Sequence, residues 1–233
     1  MNNAYIISLL VMTLSFFAGK SYAQDLGGFQ IDGIKYNILS EEENTAEVFQ
    51  CPPSKSGLVK ISNLVMSKGR KFEITKIADN AFNYCTKIDS VAILAEKITS
   101  IPTSAFEGCD NLRGVSIPMT IQSIETCAFY GCHNLKYLKM PDSLQIIGEM
   151  AFDGCPFTSV TIPKNVHSIG EMAFKFCSSL NTVYSMIETP LNFKAAFDDN
   201  TRELCTLVIP AGSTEAYRKV GFWGFIEVSA LRH

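Results

Sequence analysis

The sequence predicts an α/β repeat solenoid: a short arc with one parallel strand per 22–24-residue repeat, an N-terminal β cap and a C-terminal helical cap. Three observations predict it. The first is a recurring motif in which an aliphatic residue, three spacers, Ala-Phe, two spacers and Cys follow one another. It reads Ile77…Ala81-Phe82…Cys85, Ile101…Ala105-Phe106…Cys109, Ile124…Ala128-Phe129…Cys132, Ile147…Ala151-Phe152…Cys155 and Ile169…Ala173-Phe174…Cys177. A sixth, degenerate copy keeps Ala196-Phe197 but has Asn200 at the Cys position. The second observation is the period: successive phenylalanines lie 24, 23, 23, 22 and 23 residues apart. A unit of that length buries its apolar face only by stacking on its neighbours. The third is an alternating run closed by proline, as in Val115-Ser116-Ile117-Pro118, Leu138-Lys139-Met140-Pro141, Val160-Thr161-Ile162-Pro163 and Leu207-Val208-Ile209-Pro210. Alternation sends one set of side chains inward and the next outward.

The chain opens on a segment outside this fold. An apolar run over residues 6–17 precedes Ser21-Tyr22-Ala23, small residues at the −3 and −1 positions of a cleavage site before Gln24. Residues 1–23 therefore read as a cleaved signal peptide. The run is shorter than the roughly 20 apolar residues a membrane span requires, and no Cys follows the cleavage point to take a lipid. The expected product is secreted, periplasmic or cell-surface, with no membrane span after cleavage.

Residues 24–75 lack the motif and read as a β-hairpin and meander that covers the first repeat. Asp32-Gly33 sits between alternating runs over 29–31 and 34–38, a strong short-range hairpin signal. The acidic stretch 41–45 reads as a solvated turn, and Cys51-Pro52-Pro53 stops the next strand because proline donates no ladder bond. Further strands are expected over 58–61 and 71–74. The repeats occupy 76–210, with Val91/Ile93, Val115/Ile117, Leu138/Met140, Val160/Ile162 and Leu207/Ile209 facing inward. The Ala-Phe-x-x-Cys part packs as a tight turn or a single helical turn. Residues 211–233 form the last element, with Ser213 as a candidate N-cap, Glu215 in a first turn, and the aromatic cluster Phe222-Trp223-Gly224-Phe225 as a lid on the last repeat.

The pattern Ile-x-x-Ile-Gly-x-x-Ala-Phe-x-x-Cys-x-x-Leu-x-x-Val-x-Ile-Pro, followed closely over 146–155 and 169–183, resembles the BspA-like leucine-rich repeat family of bacterial surface proteins. The likeness covers roughly residues 74–210, and the Asp-Gly-Ile-x-Tyr hairpin before it and the Ile-Pro-Ala-Gly-Ser segment after it resemble the family's flanks. It implies a leucine-rich-repeat-like solenoid exported to the cell surface or beyond, some relatives being adhesins for host extracellular proteins. The sequence departs from the pattern at Asn200, across 186–202, and at Phe157, where Leu is usual.

Composition narrows the function classes. At 233 residues, 47% hydrophobic and 18% charged, the chain fits one ordered domain. A net charge of −3 without a basic block leaves no electrostatic footprint for nucleic acid. Five of the eight cysteines share one repeat position, which gives them a packing role as small hydrophobes. Stacked side chains would have to twist toward one another to bridge, so a reduced column is expected. Cys127, Cys132 and His133 lack a second ligand pair for zinc, and His167 and His233 have no spacing logic. No catalytic residue, metal or cofactor is expected.

The outward strand positions form two columns: Ser90, Gly114, Tyr137, Ser159, Thr182, Thr206, and Ala92, Ser116, Lys139, Thr161, Tyr184, Val208. Neither contains a carboxylate or an imidazole, so general acid–base chemistry has no obvious carrier there. Small residues beside Tyr137 and Tyr184 suit recognition instead. The candidate ligand-binding residues are Ser116, Tyr137, Lys139, Ser159, Thr161, Thr182 and Tyr184. The expected function is an exported binding module for a host or microbial extracellular protein or glycan. The alternative is a structural or decoy scaffold of the envelope with no specific ligand.

Overall fold

The computed structural model describes residues 27–190, 194–221 and 225–228. The expected signal peptide, and the part of the aromatic cluster that contains Trp223, lie outside the described residues. The chain enters through β1 (Gly28–Ile31) and β2 (Ile34–Ser40), joined by Asp32 and Gly33 at φ of 49° and 84°. Left-handed backbone at both central positions matches the twist of the strands it connects. β2 pairs antiparallel with β3 (Thr45–Gln50), and the chain then departs into β4 (Gly57–Ile61). A second hairpin, β5 (Leu64–Ser67) and β6 (Arg70–Ile77), turns through Lys68 and Gly69 at φ of 49° and 79°.

Here the structure corrects the expected meander in two ways. β6 returns parallel to β3, which gives the sheet order β1-β2-β3-β6-β5. β4 is not part of that sheet at all. It pairs in parallel with β7 (Ile88–Ile93), Val59 beside Val91 and Ile61 beside Ile93, so it is a strand of the solenoid. The inward Val-x-Ile pattern is the same in both strands, and both valines and both isoleucines are buried. The N-terminal sheet is hydrogen-bonded to the first repeat: Cys51 N–H donates to Ala81 O at 2.6 Å and Ala78 N–H to Val48 O at 2.8 Å.

From there longer strands alternate with two-residue ones, except between β10 and β11: β8 (Ser100–Ile101), β9 (Gly114–Ser116), β10 (Ser123–Ile124), β11 (Ile146–Ile147), β12 (Ser159–Ile162), β13 (Ser168–Ile169), β14 (Thr182–Ser185). The longer strands make one side of the arc, in two parallel sheets. One has the order β4-β7-β9, and Gly114 adds a single bridge to Tyr137. The other has the order β12-β14-β15-β16, completed by β15 (Thr206–Pro210) and β16 (Phe225–Val228). The run over 138–140, expected as a strand, supplies no named strand and separates the two. The short strands form a second parallel ladder, β13-β11-β10-β8, with Ile101, Ile124, Ile147 and Ile169 in register.

The Ala-Phe-x-x-Cys segments form the third side as stacked turns. Six rings, Phe82, Phe106, Phe129, Phe152, Phe174 and Phe197, stack with centroids 4.9–5.5 Å apart and planes within 14° of parallel. This is offset stacking of rings held at the repeat spacing. Four of the five ladder thiols donate to the Phe carbonyl of the preceding repeat: Cys109 to Phe82, Cys132 to Phe106, Cys155 to Phe129 and Cys177 to Phe152, at 3.1–3.3 Å. The residue before each Ala is left-handed, at Asn80, Ser104, Cys127, Met150 and Met172. That conformation is strained for L-residues. It turns each amide toward the next repeat, as in Ser104 N–H to Thr126 O at 3.0 Å and Cys127 N–H to Glu149 O at 2.9 Å.

The departures from the pattern have local reasons. Phe157 is buried and packs edge-on against Phe152 at 5.6 Å and 66°. In the degenerate copy a 3₁₀ turn (Lys194–Ala196) leads into α1 (Asp199–Leu204), capped by Asp198, whose Oδ1 accepts from Thr201 N–H at 2.8 Å. Helix α2 (Thr214–Lys219) begins after Ser213, which occupies the N-cap position without making a side-chain cap bond. Its Tyr217 is fully buried, with Oη 2.6 Å from Ser185 Oγ and 2.8 Å from Ile187 O. A phenol has one proton, so donating it to the carbonyl leaves Ser185 as donor of the shorter bond.

Candidate functional site

The strand face follows from alternation. Val91, Val115, Leu138, Val160, Val183 and Leu207 are buried, while the positions between them reach solvent. Register brings Ser159 beside Thr182 and Thr161 beside Tyr184, so four of the candidate residues form one contiguous patch on β12 and β14. Thr206 and Val208 of β15 extend that patch, although Val208 is itself buried. Tyr137 stands on the other side of the break between the two sheets, tied to Gly114, and is 68% exposed. Lys139 lies in the unpaired run between them and is exposed, and Ser116 pairs with Ala92 on β7. The sequence-predicted residues therefore form two groups, one per sheet, with Lys139 between them.

Two outward residues were missed. β4 places Leu58 beside Ser90 and Lys60 beside Ala92, which extends both columns by one strand toward the N-terminus. Leu58 is 51% exposed. The signal was present in Leu58-Val59-Lys60-Ile61, which alternates as Ser90-Val91-Ala92-Ile93 does. At this end the face opens into a cavity of about 340 Å³, walled by Ile31, Ile34, Tyr36, Leu58, Val59 and Lys60 among others. Along both columns from β4 to Val208 the charged side chains are Lys60 and Lys139, with no carboxylate.

The cysteine and histidine candidates do not converge. Cys132 is buried and bonded to a carbonyl, whereas His133 points out, with Nδ1 2.9 Å from Asp110 Oδ1 and most of its ring in solvent. Cys127 is half-buried at a left-handed turn position. His167 is exposed, beside a shallow hollow lined with Lys164, Met186 and Ile187. Among the described residues no group of three or more His, Cys, Asp or Glu is placed to hold a metal. Burial pushes the Cys132 and Cys177 thiols up to about 12 and Cys205 up to about 11. These groups stay protonated at neutral pH, and the thiolate is the nucleophilic form. Among the described residues no helix is long and apolar enough to cross a membrane.

The comparisons agree with this geometry. A model of the BspA type leucine rich repeat region matches the chain in 6 copies, over residues 59–120 and 99–222. A leucine-rich repeat protein from Bacteroides ovatus shares 30% identity over 78% of this chain, with a TM-score of 0.64. This chain covers 49% of that protein's length. The leucine rich repeat protein TpLRR of T. pallidum is similar over 85% of this chain and 98% of its own, at 22% identity and a TM-score of 0.63. The pneumococcal vaccine antigen PcpA shares the fold over 87% of this chain and 48% of its own, at 17% identity and a TM-score of 0.63. No curated protein matches the chain.

Proposed function

The chain belongs to the BspA-type leucine-rich repeat family, and from that premise we propose that it is an exported module that binds an extracellular protein or glycan at the bacterial surface through its strand face. The observation that carries this reading is Tyr137. A tyrosine 68% exposed on a flat parallel surface contributes nothing to the core, yet offers apolar area and a hydroxyl at low entropic cost. Tyr184 stands on the second sheet beside Thr161, and small hydroxyl residues lie around it. A partner rests on Ser159, Thr161 and Thr182 and grips an aromatic side chain on each sheet. Lys60 and Lys139 add donors, and with no carboxylate in the columns the face does not repel an acidic partner.

The test is direct binding of the purified full chain to immobilised extracellular matrix proteins and to a panel of surface glycans. Replacing Tyr137 and Tyr184 together by Ala should abolish binding with the melting temperature nearly unchanged, and added salt should weaken wild-type binding only slightly. Binding that survives the double change moves the site away from these residues. Wild-type protein that binds nothing across both panels favours the scaffold role.

A further inference from the structure

The Cys ladder has an irregular first rung. Four ladder thiols reach the carbonyl of a Phe one repeat earlier, but no Phe precedes Phe82 in the stack, so Cys85 takes another partner. Its Sγ lies 3.5 Å from Cys51 O and 3.7 Å from Pro52 O, at the end of β3. Cys51 Sγ lies 3.7 Å from the same Pro52 oxygen. Two sulfurs thus converge on one carbonyl, and both residues are buried, at 3% and 0% exposure. All eight cysteines are thiols in this structure, and in this pair both sulfurs reach the same carbonyl.

We propose that Cys51 and Cys85 are a disulfide-forming pair that covalently ties the N-terminal sheet to the first repeat of the solenoid. The oxidant is a low-molecular-weight disulfide, RSSR. The Cys85 thiolate attacks one of its sulfurs, giving a mixed disulfide and releasing RS⁻. The Cys51 thiolate then attacks Cys85 Sγ, forming the Cys51–Cys85 bond and expelling the second RS⁻. The two thiol protons end on the two released thiolates, so one disulfide is reduced for each one formed. The balance is the same if the Cys51 thiolate attacks first. Pro53 and Ser54, in the loop that follows Cys51, are exposed.

The position gives the bond a consequence. The sheet meets the solenoid through backbone bonds near this point, among them Cys51 N–H to Ala81 O and Ala78 N–H to Val48 O. A bridge here closes the loop from residue 51 to 85 and restricts the unfolded chain. In the rest of the column each thiol donates to a Phe carbonyl of the preceding repeat, so a bridge between rungs has to break that ladder.

The test equilibrates the reduced full chain with oxidised and reduced glutathione at a series of ratios, quenches with an alkylating agent in denaturant, and maps the peptides by mass spectrometry. The expected result is one linkage, between the peptides carrying Cys51 and Cys85, with the other six cysteines alkylated. Oxidised protein should melt several degrees above reduced protein, and the gap should vanish in Cys51→Ser. Oxidation in denaturant is the control, and should give mixed pairings. Eight alkylated cysteines at the most oxidising ratio overturn the proposal, as do bridges between ladder positions in the folded protein. This outcome is independent of whether the strand face binds anything.

Discussion

Phe129→Ala is the sharpest probe of the ring stack. Phe129 is 0% exposed, with Phe106 and Phe152 at 5.3 and 5.5 Å and planes within 5°. A phenylalanine buries about 150–250 Å², or about 4–6 kcal/mol at about 25 cal/mol per Å², an upper bound on its transfer energy. Alanine keeps the Cβ share, but the lost ring leaves a cavity, and the cost depends on how far the site collapses. Here collapse is resisted. The backbone is held at the repeat spacing by Phe106 N–H to Ala128 O at 2.9 Å and Phe129 N–H to Ala151 O at 2.8 Å. The expected cost is the upper part of the usual range of about 3–5 kcal/mol. For a chain of this size that lowers the melting temperature by about 10–15 °C. Urea unfolding of Phe129→Ala beside Tyr137→Ala is the assay, and the second should stay within about 0.5 kcal/mol of wild type. A Phe129→Ala midpoint near wild type, or a larger loss from Tyr137→Ala, would refute the assignment of core and face.

Gly148→Ala should cost about 1–3 kcal/mol by thermal or urea unfolding, because an added Cβ would stand 2.5 Å from Glu125 C and from Thr126 N, which are backbone atoms. Gly114→Ala meets nothing within 4 Å and should be close to neutral in the same measurement. Asp198→Ala should cost about 1–2 kcal/mol near neutral pH, since it removes acceptors for Thr201 N–H and for Phe176 N–H at 2.9 Å. Burial works to raise the Asp198 pKa, but these amide bonds outweigh it and hold the carboxylate below its usual 3.8. Its stabilisation is therefore fully present above the unfolded-state value and lost as pH falls through the folded one, so the difference from wild type should shrink below about pH 4.

What could be read from the sequence was whatever repeats as side-chain identity. The Phe and Cys columns are large or distinctive residues at a fixed offset, and their burial leaves few substitutes. The inward Val-x-Ile pairs and the Asp32-Gly33 hairpin are equally plain. The second parallel ladder was not legible because Ser100–Ile101, Ser123–Ile124, Ile146–Ile147 and Ser168–Ile169 are two residues long, too short for alternation to register. The left-handed turn positions were hidden too. Asn80, Ser104, Cys127, Met150 and Met172 share a conformation but not a chemistry, because a backbone hydrogen bond to the next repeat supports it. β4 was misplaced because the chain after it carries the β5–β6 hairpin where a motif copy would announce a repeat. The Cys51–Cys85 contact was invisible for a similar reason: Cys51 belongs to no repeat, and only the fold brings it to the end of the column.

The same division explains why the fold is legible while the candidate face is not, and one pair of adjacent residues tests it. Val160 and Thr161 differ by a methyl and a hydroxyl and lie on opposite sides of β12, Val160 at 5% exposure and Thr161 in solvent. Val160→Thr puts a hydroxyl on the buried side of the strand, beside Val183, at a cost of about 1–3 kcal/mol. Thr161→Val makes the reverse change one residue along and should shift stability by less than about 0.5 kcal/mol. If both changes behave alike in urea unfolding, β12 is not the two-sided strand described. If they separate as expected, the outward columns are free of structural demand. The repeat itself then places no constraint on residues such as Tyr137, Lys139 and Tyr184 that a sequence could display.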